Sequence, residues 1–395
     1  MNQVGKTVFN KVGKTVWPQT LIPPTLGLPI FDKIFIDKSS LDSDVSKRVQ
    51  SLYPQELIEI VTAEPLIENK GAMTAVEFNQ SKRFLFLTEY KGHFFKRCPG
   101  ATQKKSLTCC NYHVLNLGSQ CNMNCSYCYL QSYLNSRVTK IFTNIDQALA
   151  ELKEMADAHP TQPFRVGTGE VIDSLSLDEI TLYSRKLIPF FKNYPNWVLE
   201  FKTKSNKVDQ FLDLTGAKNI VVSWSINPPF IIDSEEHGTA RFNERIEAAK
   251  KCRDAGFKIA FHIDPMIWHT DWKINYSFLA EEIAKNFSAD DIHIISLGAL
   301  RFQAEQKQLM RERFGMKSLV NSAEMYTSEG HKMRYDAGLR SEMFQFMQTK
   351  LRILNSGFNI FLCMETPETW ISSFEKIPMQ IPELRQIFKP LPEVR

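Results

Sequence analysis

The chain has 395 residues, of which 43% are hydrophobic and 23% charged, with a formal net charge of +4. That size and apolar share fill a sizeable core in one large domain with additions, or in two domains, and exclude a small binding module. The mild positive charge is compatible with a nucleic-acid partner without requiring one. No run approaches the roughly 18 apolar residues of a membrane span, because Pro23, Pro24 and Pro29 interrupt the stretch from Leu21 to Phe31.

Residues 1–30 read as a basic, Pro-rich arm. They carry a short duplication, Val4 to Val8 and Val12 to Val16, whose GKT lacks the upstream glycine and the strand-loop-helix setting of a phosphate-binding loop. Residues 31–108 alternate apolar runs (Ile34 to Ile36, Leu57 to Val61, Phe84 to Leu87) with helical stretches, which predicts a small N-terminal α/β region. From 109 to 305 the rhythm is strand then helix. Strands are expected at His113 to Leu117, Phe164 to Gly167, Trp197 to Lys202, Asn219 to Ser225, Lys258 to Ile263 and Ile292 to Leu297. Helices are expected at Ile145 to Ala156, Leu177 to Phe191, Asn243 to Ala255 and Phe278 to Asn286. Repeated βα units imply parallel strands joined by crossover helices, as a partial barrel or a doubly wound sheet. Residues 306–395 read as a charged, helical C-terminal extension ending in a Pro-rich tail.

Directly after the first of these strands comes Cys121-Asn-Met-Asn-Cys125-Ser-Tyr-Cys128. A CxxxCxxC loop offers three thiolates, enough to hold three irons of a 4Fe-4S cube and leave the fourth open. Zinc is the competing reading, but structural zinc takes four ligands as two separated pairs, and no second CxxC lies nearby. A disulfide fits less well, since the N-terminus has no secretory signal and a cytoplasmic protein keeps its thiols reduced. The loop follows a strand, so it belongs at the carboxyl ends of the strands, where parallel α/β folds build their sites.

The loop resembles that of the radical S-adenosylmethionine (SAM) superfamily, in which the open iron chelates SAM and an electron through the cluster releases a 5'-deoxyadenosyl radical. The resemblance sharpens with Cys125 to Gln131 (CSYCYLQ), Phe201-Lys-Thr-Lys204, Ser225-Ile-Asn227, Glu236-His-Gly-Thr239 and Arg245-Ile-Glu-Ala-Ala249. Together, and in this order, they are similar to the spore photoproduct lyase family. The resemblance implies a partial (β/α)6 TIM-type barrel and radical reversal of a thymine dimer in DNA. The electron donor to such an enzyme would be one such as flavodoxin or ferredoxin; the lack of a long apolar run, for its part, predicts a soluble cytoplasmic protein with no membrane partner.

The resemblance further implies roles for matching positions. Tyr127 would lie against the adenosyl group and Tyr129 near the radical path, as catalytic residues. Gly169 and Glu170 resemble an element that accepts the SAM ammonium; a carboxylate beside a glycine that permits close approach suits that task. Lys204 and Ser225 suit the SAM carboxylate, and the Asn227 amide suits a ribose or the substrate. One departure stands out: the family cysteine that gives a hydrogen atom to the product radical matches a position near Thr168, and a hydroxyl O–H bond is too strong for that role.

Cys98, Cys109, Cys110 and Cys363 lie outside the loop. They would hold a second iron-sulfur cluster or a zinc, or else are buried thiols; Cys252 sits in a helix and reads as core. His262 and His269 read as core or pocket residues. Trp268, Trp272, Phe302, Lys273 and Arg301 have the composition of a nucleic-acid groove, although aromatics in a chain with 28 phenylalanines more often pack the core. Three functions follow: hydrogen abstraction from a DNA lesion or modified nucleobase; the same chemistry on a peptide or small metabolite; or a metal-stabilised nucleic-acid binding protein without turnover. The sequence says nothing of the oligomeric state.

Overall fold

The computed structural model describes residues 27–65, 73–99, 107–134, 136–328 and 332–391. The N-terminal duplication lies outside them. Strands β1 (Lys33–Asp37), β2 (Ile58–Val61) and β3 (Phe84–Thr88) are followed by β4 (Phe95–Arg97), β5 (Tyr112–Leu115), the two-residue strands β6 (Gly118–Ser119) and β7 (Asn124–Cys125), and β8 (Thr139–Phe142). A five-stranded sheet forms in the order β2-β1-β3-β8-β6. This small sheet therefore takes two of its strands from either side of the cysteine loop. β8 runs parallel to β3, and β6 pairs antiparallel with β8.

The large sheet continues with β9 (Arg165–Gly167), β10 (Val198–Thr203), β11 (Ile220–Ser225), β12 (Glu236–His237, outside this sheet), β13 (Lys258–Met266) and β14 (Ile292–Ala299). Beyond them lie β15 (Arg301–Gln303), β16 (Tyr326–Ser328), β17 (Lys332–Arg334) and β18 (Ile360–Leu362). The order is β18-β14-β13-β11-β10-β9-β5-β4. From β5 to β18 every neighbouring pair is parallel, and β4 closes the edge antiparallel to β5. An order that never reverses is that of a barrel wall, because a doubly wound sheet turns back at its switch point. The six expected strands all stand in this wall. A seventh comes from the C-terminal extension, whose β18 pairs with β14.

Local sequence explains the wall. Ile220 to Ser225 is buried at every position, as a parallel strand covered on both faces must be. The helix Ile145–Ala158 buries Ile145, Ala148, Leu152 and Ala156, one stripe at helical spacing. The expected helix from Leu177 is instead two, Asp178–Thr181 and Tyr183–Lys192, because Leu182 between them adopts φ 50°. The extension is not helical throughout: before its 18-residue helix Ala337–Leu354, its β16 and β17 join β15 in a three-stranded sheet. No helix among the described residues is long and apolar enough to cross a membrane.

The concave face of the wall is polar. Arg165 of β9 and His262 of β13 meet on Glu200 of β10, at 3.1 and 2.5 Å. The Arg165 guanidinium also lies 5.8 Å from the ring of Phe361 on β18. Contacts between strands that are not neighbours in the sheet require it to curl. His262 is thus a pocket residue, and His269 is tied by its Nδ1 to Ile267 O at 3.0 Å. The proposed aromatic groove does not form: Trp272 and Phe302 are 5% and 1% exposed in the core, and Lys273 pairs with Glu342 on the surface. Cys252 is fully buried, as expected.

Candidate metal centre and its surroundings

The cysteine loop is held by chain segments far away in sequence. Cys125 in β7 pairs antiparallel with Glu236 in β12. Ser126 N donates to Glu235 O at 2.8 Å, and the Ser126 hydroxyl donates to the Glu235 carboxylate. The same carboxylate accepts Ser318 Oγ at 2.6 Å and Leu319 N at 2.7 Å. On the other side, Gln306 Nε2 and Gln131 Nε2 each donate to Cys128 O at 3.0 Å. Few of the loop's conformational choices are left open, so its three thiols are presented in a fixed arrangement.

Cations surround those thiols. Lys82, 5% exposed, donates from Nζ to Cys121 O at 2.7 Å. Arg313 bonds Asn79 Oδ1 at 2.8 Å and Asn124 Oδ1, with its guanidinium 4.3 Å from the Phe78 ring. Lys204 Nζ lies 5.6 Å from the Tyr127 ring. Burial lowers the Lys82 pKa and brings Arg313 down to about 10; the Cys128 thiolate opposes both shifts. Lys204 is raised: burial lowers it, but the Cys125 thiolate and Glu236 outweigh that. Burial pushes the Cys121 thiol up to about 11 and Cys125 further. Buried thiols inside a cationic collar become thiolates when a metal supplies the positive charge.

Behind the loop is a fully buried network. Tyr127 Oη donates to Glu236 Oε1 at 2.5 Å, Asn227 Nδ2 donates to the same oxygen at 3.1 Å, and Arg245 meets Glu236 Oε2 at 2.6 Å. Tyr276 Oη donates to Asn227 Oδ1 at 3.1 Å. Glu236 titrates low: burial opposes this, and Arg245 and Lys204 overcome it. The Tyr127 hydroxyl is raised far up, by burial first and then by the Glu236 charge. Arg245 also donates to Ser225 O at 2.8 Å. Cys125, Tyr127, Lys204, Ser225 and Asn227 are therefore gathered on one side of the site.

On the other side, Tyr129 Oη donates to Glu170 O at 2.6 Å. Burial raises the Glu170 carboxyl, with Lys96 opposing. A β-carbon on Gly169 would fall 2.7 Å from both Lys202 O and Ser174 Oγ, so that turn has no room for a side chain. Thr168 is 4% exposed and its hydroxyl bonds Ser174 Oγ at 2.8 Å. Sequence reasoning had overlooked Glu235, Gln306, Lys82 and Arg313 altogether, and had quoted Glu236 and Arg245 without a role. The adjacent acids at 235 and 236 were the available signal, since paired carboxylates rarely go into a core unpartnered.

Among the described residues no three His, Cys, Asp or Glu side chains cluster tightly enough for a single metal ion. A cube gives each cysteine its own iron and tolerates wider spacing than one ion does. Of the remaining cysteines, Cys363 has its thiol raised by burial first and then by Asp264, with Cys110 a lesser contributor, and its Sγ lies 4.0 Å from Arg301 Nη2. Cys109 adjoins Cys110 and accepts Asn111 N at 3.3 Å. Arg301 itself is engaged by Asp264 at 2.9 and 3.0 Å.

The family model described as spore photoproduct lyase matches residues 30–351. Among characterised proteins, the spore photoproduct lyase of Geobacillus sp. (strain Y412MC61) is 27% identical over 205 residues, 51% of this chain and 60% of that protein. The Bacillus subtilis (strain 168) enzyme of that name is 25% identical over the same shares. The chain thus spans 60% of the length of these two relatives; for the Clostridium acetobutylicum protein the share is 74%, at 24% identity. A solved spore photoproduct lyase complexed with dinucleoside spore photoproduct superposes with TM-score 0.73 at 20% identity, over 85% of this chain and 99% of that one. A variant with bound AdoMet and the same ligand gives the same score and coverage. At that identity the likeness establishes the fold. With a family model matching residues 30–351, most of the chain, the chain belongs to the spore photoproduct lyase family.

Proposed function

We propose that this protein is a radical SAM enzyme that acts on a DNA lesion or modified nucleobase, with a 4Fe-4S cluster on Cys121, Cys125 and Cys128. The observation that carries the reading is the fixed three-cysteine loop inside a collar of Lys82, Lys204 and Arg313. When bound, the cluster and SAM supply a one-electron cleavage that produces a carbon radical able to abstract hydrogen.

The chain's own residues bind, orient and shield. Lys204 offers a cation beside the loop for the SAM carboxylate, and Glu170 an acceptor for its ammonium, with Gly169 keeping that turn thin. Tyr127 presents a ring locked by Glu236 for stacking on the adenine. Asn227 has its amide committed to Glu236 and Tyr276, so it positions the ring and does not reach a ligand. Ser225 is drawn to Arg245 through its carbonyl, which fixes the end of β11. Tyr129 is the exposed member of the pair, 41% accessible, with its hydroxyl held by Glu170 O. One-electron supply from a flavodoxin or ferredoxin is part of this proposal. A second cluster or a zinc on Cys98, Cys109, Cys110 and Cys363 is the finer reading, for which the Cys110 and Cys363 neighbourhood is the only support.

The test is anaerobic reconstitution followed by iron counting, SAM cleavage and reversal of a dinucleotide spore photoproduct. About four irons per chain, lost in Cys125→Ala, are expected; about eight, falling to four in the variant, would establish the auxiliary cluster. Binding of lesion-bearing DNA should weaken steeply with salt. SAM cleavage with a flat salt response and no lesion reversal would move the substrate to a peptide or small metabolite. Zinc in place of iron would leave a nucleic-acid binding protein without turnover.

A further inference from the structure

The concave face holds a polar pair that the metal centre does not use. His262 Nε2 bonds Glu200 Oε1 at 2.5 Å, and Arg165 Nη2 holds the other carboxylate oxygen at 3.1 Å. Burial opposes ionisation of Glu200, but the bonds from His262 and Arg165 outweigh it and keep the carboxyl charged. A carboxylate only accepts, so Nε2 carries the ring hydrogen and Nδ1 is left as a bare acceptor. Burial first and the Lys202 charge second lower the His262 pKa, which keeps the ring neutral. His262 is 6% exposed; its Nδ1 bonds nothing among the described residues and, unlike Nε2 of His113 and of His293, is not closed off from solvent.

Lys202 supplies the matching donor. It lies two residues beyond Glu200 on β10, on the same face, and its Nζ makes no hydrogen bond or ion pair among the described residues. Of the charges acting on His262 it weighs most, ahead of the Glu200 carboxylate that the ring touches, so the two groups are close. In the row beside Lys202 stand only Ser223 and Ala260, small residues that leave room over β11 and β13 next to the His262 ring. Tyr112 bounds this face on the β5 side, with its ring 5.2 Å from the Arg165 guanidinium and its hydroxyl over Gly167.

A group that meets both Nδ1 and Nζ must donate and accept along one edge. A phosphate or carboxylate only accepts, and would leave Nδ1 as a buried unsatisfied atom. A trans peptide turns its N–H and C=O to opposite sides. The edge of a nucleobase carries a donor beside an acceptor, and in a thymine ring these are the imide N3–H and the neighbouring carbonyl. We propose, resting on the lesion reading above, that His262 and Lys202 read this edge: the ring N–H donates to His262 Nδ1, and the carbonyl accepts from Lys202 Nζ. Glu200 and Arg165 do not touch the base. They position His262, Glu200 by fixing which nitrogen carries hydrogen and Arg165 by holding Glu200.

The test compares binding of a dinucleotide spore photoproduct with that of analogues methylated at N3 of one or the other thymine ring, using the reconstituted enzyme with SAM and no reductant. For one of the two rings, wild type should bind the methylated lesion about tenfold more weakly, the loss of one buried hydrogen bond. His262→Ala removes the acceptor and makes space for the methyl, so it should bind the parent lesion about tenfold more weakly and no longer distinguish it from that analogue. Lys202→Met should weaken both alike and keep the distinction. Iron content reports that the variants have folded. Equal binding of the parent and both analogues by wild type, or a distinction that survives in His262→Ala, overturns the assignment. Wild type that cleaves SAM but binds no lesion overturns the lesion reading instead, and this inference with it.

Discussion

Glu236 holds the Tyr127 hydroxyl at 2.5 Å from the strand that pairs with the cysteine loop, so one carboxylate fixes both the loop's backbone partner and its aromatic ring. Its other oxygen meets Arg245, and the two side chains are completely buried. The loop geometry depends on an ion pair contributed from more than a hundred residues away.

Glu236→Gln should therefore destabilise the fold by about 3 kcal/mol, the low end of the range for leaving a buried charge unpaired. Arg245 keeps its bonds to Ala240 O, Ser225 O and Thr239 Oγ1, which limits the loss. Denaturant midpoints of the reconstituted protein measure it. A midpoint equal to wild type would show that the pair does not support the loop.

Lys82→Met removes a buried cation beside Cys121. Reduction adds negative charge to the cluster, so the potential should move to more negative values, by roughly tens of millivolts, since net charge and burial tune such clusters. Redox titration followed by EPR reads this shift. An unchanged or raised potential would mean that Lys82 acts only on the backbone.

Stability should fall on mild acidification. Burial brings His113 and His293 down to about 4 in the folded chain, against about 6.5 in the unfolded chain. Between those values the unfolded state holds protons that the folded state lacks, so each histidine removes up to about 1.4 kcal/mol per pH unit as pH falls from 6.5 to 4. Below that window, Glu236 and Glu200, both held low, lose their contribution as they too protonate. Thermal melts from pH 7 to 4.5 should decline for wild type and decline less for His113→Phe. The replacement would sit between Phe95 and Phe164, which already flank the ring.

Gly167→Ala should expel the Tyr112 ring from its place over the turn, because the new methyl would occupy the position of the hydroxyl. The displaced group is the end of a movable side chain, so folding and iron content should change little. Lesion reversal should drop about tenfold or more through misplacement at the reacting centre. Equal reversal rates in Gly167→Ala and wild type would show that the Tyr112 position is immaterial.

Much of the barrel was legible because its strands are continuous apolar runs. Ile220–Ser225 and Lys258–Met266 read as strands on composition alone, and their boundaries moved by only a few residues. β18 escaped notice because three residues, Ile360 to Leu362, make no period; only the long-range pairing with β14 defines it. The cysteine loop was plain from its spacing, while its supports were not. Glu235, Gln306 and Arg313 reach it from 109 to 189 positions away, and nothing local distinguishes them from surface polar residues. The aromatic groove failed for the opposite reason: Trp272 and Phe302 have a local composition that suits stacking, yet packing claimed both.

The small sheet has a consequence for how this protein can be divided. Since β6 and β8 flank the cysteine loop in the chain but hydrogen-bond into the sheet built by β1 to β3, a fragment starting at residue 109 would leave Thr139–Phe142 as a bare apolar edge and release one anchor of the loop. Such edges invite association between chains. The N-terminal region is therefore no detachable accessory, and a shuffled or truncated descendant could keep every residue that touches the cofactor and still be unable to assemble it.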